Sequence, residues 1–284
     1  MSSAGRRAEL DGRVVLVTGG SSGIGLATAR RRARRGARVV VTARDTPRLK
    51  AAQADLGQTV DSVIADLTSA ADRERLIPEV IAGHGRLDAL VNNAAVGRVG
   101  RLTDLDAGGV AEVVTTNLLA LADLTRLALP HLRRSGGDLV MVSSAAAFVP
   151  VPPLSLYSAT KSGVHGLVTA LRREERELRI HEILPGFVAT PWLAYAIGWR
   201  PTDAQPHADP TFGCDPDRVA LEIERCLTAT GSRTASVPRS TGFARLTTFP
   251  PGAQLTDLLL PRIASRLIAW AREYGARLAH GEDR

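Results

Sequence analysis

Arg13-Val-Val-Leu-Val-Thr-Gly-Gly-Ser-Ser-Gly-Ile-Gly-Leu-Ala-Thr-Ala-Arg30 is the stretch from which the rest of the chain is read. Its first six residues are a short run rich in β-branched side chains, and Leu26 to Arg35 are good helix formers. A strand, a turn and a helix are predicted in that order. Glycines at 19, 23 and 25 let a charged group approach the turn closely, and the helix that follows turns its positive N-terminal end toward that group. A pyrophosphate has the matching charge and shape, with Ser21, Ser22 and Ile24 completing the turn around it. The competing reading is a tight turn that holds no ligand.

The alternation continues along the chain. Ala37–Thr42, Gln58–Ala65, Leu87–Val91, Asp138–Val142, Arg179–Leu184 and Arg233–Val237 read as further strands. Helices are predicted over Ser69–Ala82, about 106–133, Tyr157–Leu178 and Pro216–Thr228. Strands alternating with helices predict an α/β fold with a parallel sheet in one domain. In such sheets ligands bind beyond the carboxyl ends of the strands, at the crossover. That places Asp66 and Leu67, Asn92, Asn93 and Ala94, and Pro185, Gly186 and Val188 beside a nucleotide. Ala43 stands where a ribose-binding acid is usual at the end of the second strand, and Arg44 follows it. An arginine there accommodates a 2′-phosphate, which favours NADP(H) over NAD(H). Asp45 argues the other way, but it reads better as the cap of a helix opened by Thr46 and Pro47.

Composition excludes several functions. With 284 residues, 44% hydrophobic and 23% charged, the chain is an ordinary globular protein and not a disordered one. No apolar run approaches the roughly 18 residues that span a bilayer, and the N-terminus lacks the apolar core of a secretory signal, so a cytoplasmic location is expected. Cys214 and Cys226 have no metal-ligand spacing and read as free thiols; no metal is expected. The net charge of +7 comes from scattered arginines rather than a basic stripe, which argues against nucleic-acid binding.

Chemistry concentrates in Ser143-Ser-Ala-Ala-Ala-Phe-Val-Pro-Val-Pro-Pro-Leu-Ser-Leu-Tyr-Ser-Ala-Thr-Lys161. Lys161 is one of only two lysines among 36 Lys+Arg, so a position that merely needs positive charge would carry arginine here. It lies four residues after Tyr157, which on a helix puts the ammonium and the phenol on one face. A cation at that place is expected to lower the phenol pKa toward neutrality. Ser143 and Ser144 close the preceding strand and can place a hydroxyl opposite the tyrosine. Asn117, alone among Leu118, Leu119 and Leu121, reads by itself as a satisfied core amide.

Thr18-Gly-x3-Gly-Ile-Gly25, Asn92-Asn-Ala-Ala95, Asn117, Ser144, Tyr157-x3-Lys161 and Pro185-Gly186 resemble, in order and spacing, the motifs of the short-chain dehydrogenase/reductase family over roughly residues 10–237. The resemblance implies a single Rossmann-type doubly wound domain with a seven-stranded parallel sheet, and a homodimer or homotetramer. It implies a catalytic tetrad of Asn117, Ser144, Tyr157 and Lys161. Tyr157 would be the proton donor and Ser144 the carbonyl partner. Lys161 would hold the nicotinamide ribose, and Asn117 would fix a water that links Lys161 to solvent. Thr190 would hold the nicotinamide carboxamide. Two departures stand out: Ala95 replaces a more usual glycine, and Ser22 replaces a basic residue common in NADP-preferring members, which leaves phosphate selectivity to Arg44.

The expected activity is that of an NADP(H)-dependent ketoreductase or alcohol dehydrogenase. Ala145–Leu154 and an aromatic segment at about 191–213, carrying Trp192, Tyr195, Trp199 and Phe212, suggest an apolar or aromatic small-molecule substrate under a lid. Redox-neutral dehydration or cyclisation, and a non-catalytic NADP-binding regulatory protein, are the alternatives. Residues 238–284 are expected to form a helical extension on the same domain. Ile263, Leu267, Trp270, Tyr274 and Leu278 make an apolar stripe that suits docking on the body or a subunit better than a membrane surface.

Overall fold

A computed structural model of the chain describes residues 11–44, 46–57, 60–196 and 213–242. Seven parallel strands form one sheet in the order β3-β2-β1-β4-β5-β6-β7. They are β1 Val14–Thr18, β2 Arg38–Ala43, β3 Val60–Ile64, β4 Ala89–Asn92, β5 Asp138–Val142, β6 Arg179–Pro185 and β7 Thr234–Val237. Every residue of β1, β4 and β5 is buried, which is why these strands read as continuous apolar runs rather than alternating ones.

Helices cover both faces. On one side α3 Ala70–His84, α5 Ala120–Ser135 and α6 Ser155–Glu174 contribute Leu76, Leu124, Leu132, Val164 and Val168 to the core. On the other, α1 Gly23–Ala33, α2 Thr46–Leu56 and α8 Pro216–Leu227 contribute Ala29, Leu49, Val219 and Ile223. The chain walks outward from β1 to β3 and then returns to place β4 against β1. That reversal opens a crevice at the carboxyl ends of β1 and β4.

The helix expected over about 106–133 is interrupted. α4 Ala107–Val114 runs into a π-helical turn, Thr115–Leu119, before α5 begins. The Ala107–Ser135 run has the length and hydropathy of a membrane span, yet Ala120, Leu121, Leu124, Ala128 and Leu132 are buried against the sheet. One side of the run packs into the core, and 33% of its most apolar window is buried. The helix carrying Tyr157 starts two residues before the expected point and ends at Glu174 rather than Leu178. α7 Trp192–Ala196 opens the aromatic segment. Trp199, Phe212, the proposed cap at Asp45 and the apolar stripe of the tail lie outside the described residues.

Candidate active site

The turn after β1 is built for close approach. Gly19 has φ +66° and Gly23 φ +51°, left-handed conformations that side chains resist. A Cβ at Gly25 would stand 2.2 Å from the Gly19 carbonyl oxygen, so this glycine packs the helix onto the turn and does not itself face the cleft. Ser22 caps α1 without a side-chain hydrogen bond, and the first turn carries no acidic residue. The free N–H groups of that helix end are therefore available to an anion.

Thr18 ties this turn to the end of β4. Its hydroxyl accepts from the backbone N–H groups of Asn93 and Ala94, both at 3.0 Å, and donates to the Val91 carbonyl at 3.3 Å. The Asn93 amide donates in return to the carbonyls of Thr18 and Gly19, at 2.9 and 3.3 Å. Neighbouring residues at a strand end point to opposite sides. Asn92, expected beside the nucleotide, accordingly turns into the core, where its amide donates to the Thr125 hydroxyl at 2.9 Å, and Asn93 takes the place on the cleft.

A cavity of about 550 Å³ runs along these carboxyl ends. Gly19, Ser21, Ser22, Gly23 and Ile24 line it from the turn, and Arg44, Asp66 and Leu67 from the β2 and β3 side. Asn93 and Ala94 line it from β4, and Ser144, Tyr157 and Lys161 from β5 and α6. Pro185, Gly186, Val188 and Thr190 line it from β6 onward. Trp192 and Tyr195 of the expected aromatic segment line it too, and so do Arg48, Thr116 and Leu193, which carried no signal in the sequence. Among them Arg48 sits 4.9 Å from the Tyr195 ring centroid, a cation–π contact from α2 to α7.

Ser144, Tyr157 and Lys161 meet inside this cavity. The Ser144 hydroxyl is a hydrogen-bond partner of the Tyr157 hydroxyl and is oriented by the Ala146 N–H at 3.1 Å. The Tyr157 ring is partly accessible from the cleft and stands 4.9 Å, centroid to centroid, from Trp192. Burial pushes its phenol up to about 12, against the pull of the Ser144 hydrogen bond. Lys161 is 1% exposed, donates to the Val142 carbonyl at 2.8 Å and lies 5.6 Å from the tyrosine ring centroid. Burial lowers its ammonium to about 8. The expected acidified phenol is thus corrected: withdrawal from water outweighs the nearby cation, whose Nζ is turned to a carbonyl. Ser143 also lines the cavity, but its hydroxyl is committed to the Lys161 carbonyl at 3.1 Å and so ties β5 to α6.

Asn117 lies on the π-helical turn behind the cleft, fully buried. Its Oδ1 accepts from the Val96 N–H at 2.8 Å, and its Nδ2 donates to the Val96 carbonyl at 2.9 Å and the Thr160 hydroxyl at 3.2 Å. The carboxamide is therefore a clamp between the β4 loop and α6, with one Oδ1 lone pair left over. It holds the residue just before Lys161.

The cradle fits a dinucleotide: a pyrophosphate suits the glycine turn and the uncapped helix end, and a nicotinamide ribose suits the Tyr157–Lys161 end. Comparison with known proteins agrees. The family profile described as short chain dehydrogenase matches residues 13–200. A dehydrogenase/reductase SDR family member 4 from Bos taurus is 38% identical over 199 residues, 67% of this chain and 71% of that protein. An alcohol dehydrogenase from Thermococcus sibiricus, solved with 5-hydroxy-NADP, superposes with a TM-score of 0.71 at 27% identity, covering 80% of this chain and 96% of its own. A short chain dehydrogenase/reductase from Burkholderia phymatum, solved with NAD, gives 0.74 at 26% identity, covering 84% and 92%. The chain belongs to the short-chain dehydrogenase/reductase family of NAD(P)-dependent oxidoreductases.

Proposed function

We propose that the protein is an NADP(H)-dependent oxidoreductase that interconverts a ketone and a secondary alcohol on an apolar or aromatic substrate. The observation that carries this reading is the meeting of Ser144, Tyr157 and Lys161 below a wall of Val149, Val151, Leu154, Trp192 and Leu193. Arg44, on the lip of the same cleft and without an acid at position 43, supports the phosphorylated cofactor.

When bound, a reduced nicotinamide supplies hydride to the carbonyl carbon. Tyr157 donates its proton to the carbonyl oxygen, a direction that suits a phenol which burial keeps protonated. Ser144, already aimed at the tyrosine hydroxyl, donates a hydrogen bond to the same oxygen as charge develops there. Lys161, charged up to about pH 8, stabilises the phenolate left behind. Asn117 is a positioning residue that keeps the first turns of α6 in place.

A cytoplasmic homodimer or homotetramer belongs to the same reading. Only 33% of the most apolar window of the Ala107–Ser135 run is buried, and Val114 and Leu119 are exposed, as a face covered by a second copy would be. Oxidation of NADPH and of NADH, followed against aryl, alkyl, cyclic and polycyclic ketones, tests the reading. It requires turnover with NADPH on apolar ketones. Faster turnover of short sugars, or equal use of NADH, would contradict it.

A further inference from the structure

Arg44 reaches the cleft with its charge already engaged. Its Nη1 lies 3.3 Å from Oε1 of Glu112 on α4, and the other oxygen of that carboxylate takes Nη2 of Arg98 at 2.5 Å. One carboxylate thus bridges two guanidiniums. The two contacts are unequal: Arg98 and Glu112 are each 24% exposed, whereas Arg44 is 52% exposed and its contact is longer. Solvent screens the Arg44 contact more, so it is the one that gives way. Burial alone would raise the Glu112 pKa, but the hydrogen bonds from Arg98 and Arg44 hold it below the ordinary range, so it is ionised at neutral pH. Thr116, one turn farther along, lines the cleft, which sets the carboxylate at its edge.

We infer that Glu112 sets the preference for a 2′-phosphorylated dinucleotide by competing with the phosphate for Arg44, with Arg98 as the partner that retains it. The inference rests on the NADP(H) reading above. A 2′-phosphate carries up to two negative charges and offers a bidentate partner for a guanidinium, so Arg44 exchanges one carboxylate oxygen for a stronger acceptor. Arg98 keeps Glu112 neutralised during the exchange and limits its repulsion of the phosphate. A 2′-hydroxyl gives Arg44 no comparable reason to leave, so Glu112 does not affect NAD(H).

The test is the dissociation constant of NADPH and of NADH, titrated by nicotinamide fluorescence at low salt on the full chain. Glu112→Gln is expected to tighten NADPH about fivefold and to leave NADH unchanged, the size of an exposed ion pair. Arg98→Gln is expected to weaken NADPH by a similar factor, because Glu112 then grips Arg44 alone. In an Arg44→Gln background the Glu112→Gln gain should disappear. The ratio of the two constants is the readout, since a damaged fold weakens both cofactors together. An unchanged ratio in Glu112→Gln, or an equal gain with and without Arg44, overturns the inference while an Arg44→Gln loss of NADPH affinity leaves the cofactor reading standing. If Arg44→Gln does not weaken NADPH, both fail.

Discussion

Lys161 is buried beside a partly accessible Tyr157, and withdrawal from water works against the charge of each. Tyr157→Phe keeps the ring that packs on Trp192 and removes the proton, so a loss of about 10²–10⁴-fold in turnover with NADPH affinity retained is expected. Rate and titration together check this. Lys161 loses its proton near pH 8, so kcat/KM for carbonyl reduction should hold below that pH and fall above it, and Lys161→Met should lack the falling limb. A profile with no inflection between about 7 and 9 would contradict the role given to the ammonium. Stability has the opposite slope. The unfolded chain keeps this proton up to 10.5, so between about 8 and 10.5 it binds more protons than the native protein and stability rises with pH. At this scale the Tyr157 and Lys161 positions were legible because their four-residue spacing is a chemical statement, whereas the choice of Ser144 over Ser143 came from the family resemblance. The direction of the tyrosine shift was not legible, since burial is a property of the assembled site. Arg44 was legible as a charge, but its partner Glu112 lies 68 residues away and only folding brings the two together.

The two elements that shape the site are the glycine turn and the π-helical turn, and they differ in how they are encoded. The first is local: glycines at 19, 23 and 25 between a strand and a helix announce it. Gly25→Ala would push a methyl onto the Gly19 carbonyl, so cofactor binding should be lost by direct titration even if the chain still folds. The second has no local signature. Thr115, Thr116 and Asn117 are weak helix formers but do not by themselves mark a π turn, and the wider turn accompanies a clamp from Asn117 to Val96 and Thr160, which come from elsewhere in the chain. Asn117→Leu leaves the partly buried N–H and carbonyl of Val96 without their partner, which costs roughly 1–3 kcal/mol in a urea titration. An unchanged midpoint would show that the clamp is not structural. Asn92 and Asn93 make the same point: the dipeptide marks the strand end, but which amide faces the ligand depends on the pleat.

Across the whole molecule, the candidate site sits at the carboxyl ends of the strands and a charged network closes the opposite end. Asp138, at the start of β5, receives hydrogen bonds from Arg13 at 2.6 Å, Arg179 at 2.7 Å and His181 at 3.1 Å. Burial alone would raise its pKa, but these partners hold it below the ordinary range. The linked stability is therefore present above the unfolded carboxylate pKa and is lost as pH falls through the lower native value. Asp138→Asn, by leaving Arg13 and Arg179 without their carboxylate, should cost about 3–5 kcal/mol at pH 7. The unfolding midpoint checks this, and a loss below about 1 kcal/mol would contradict it. The exposed edge of the sheet is protected as well, with Gln53 donating to the Val60 carbonyl and Arg75 to that of Ile64. Strand and helix alternation made the parallel sheet legible from the chain. The charge network was not, because its members are scattered from residue 13 to residue 181.

Transfer of label from NADPH to product tests hydride transfer most directly. With NADPH carrying deuterium at the transferred C4 position and the best ketone substrate, the carbinol carbon of the alcohol should gain one deuterium by mass spectrometry, and Tyr157→Phe should form almost none. Product formed without label, or without NADPH consumption, would contradict the account and point to redox-neutral chemistry in the same cleft.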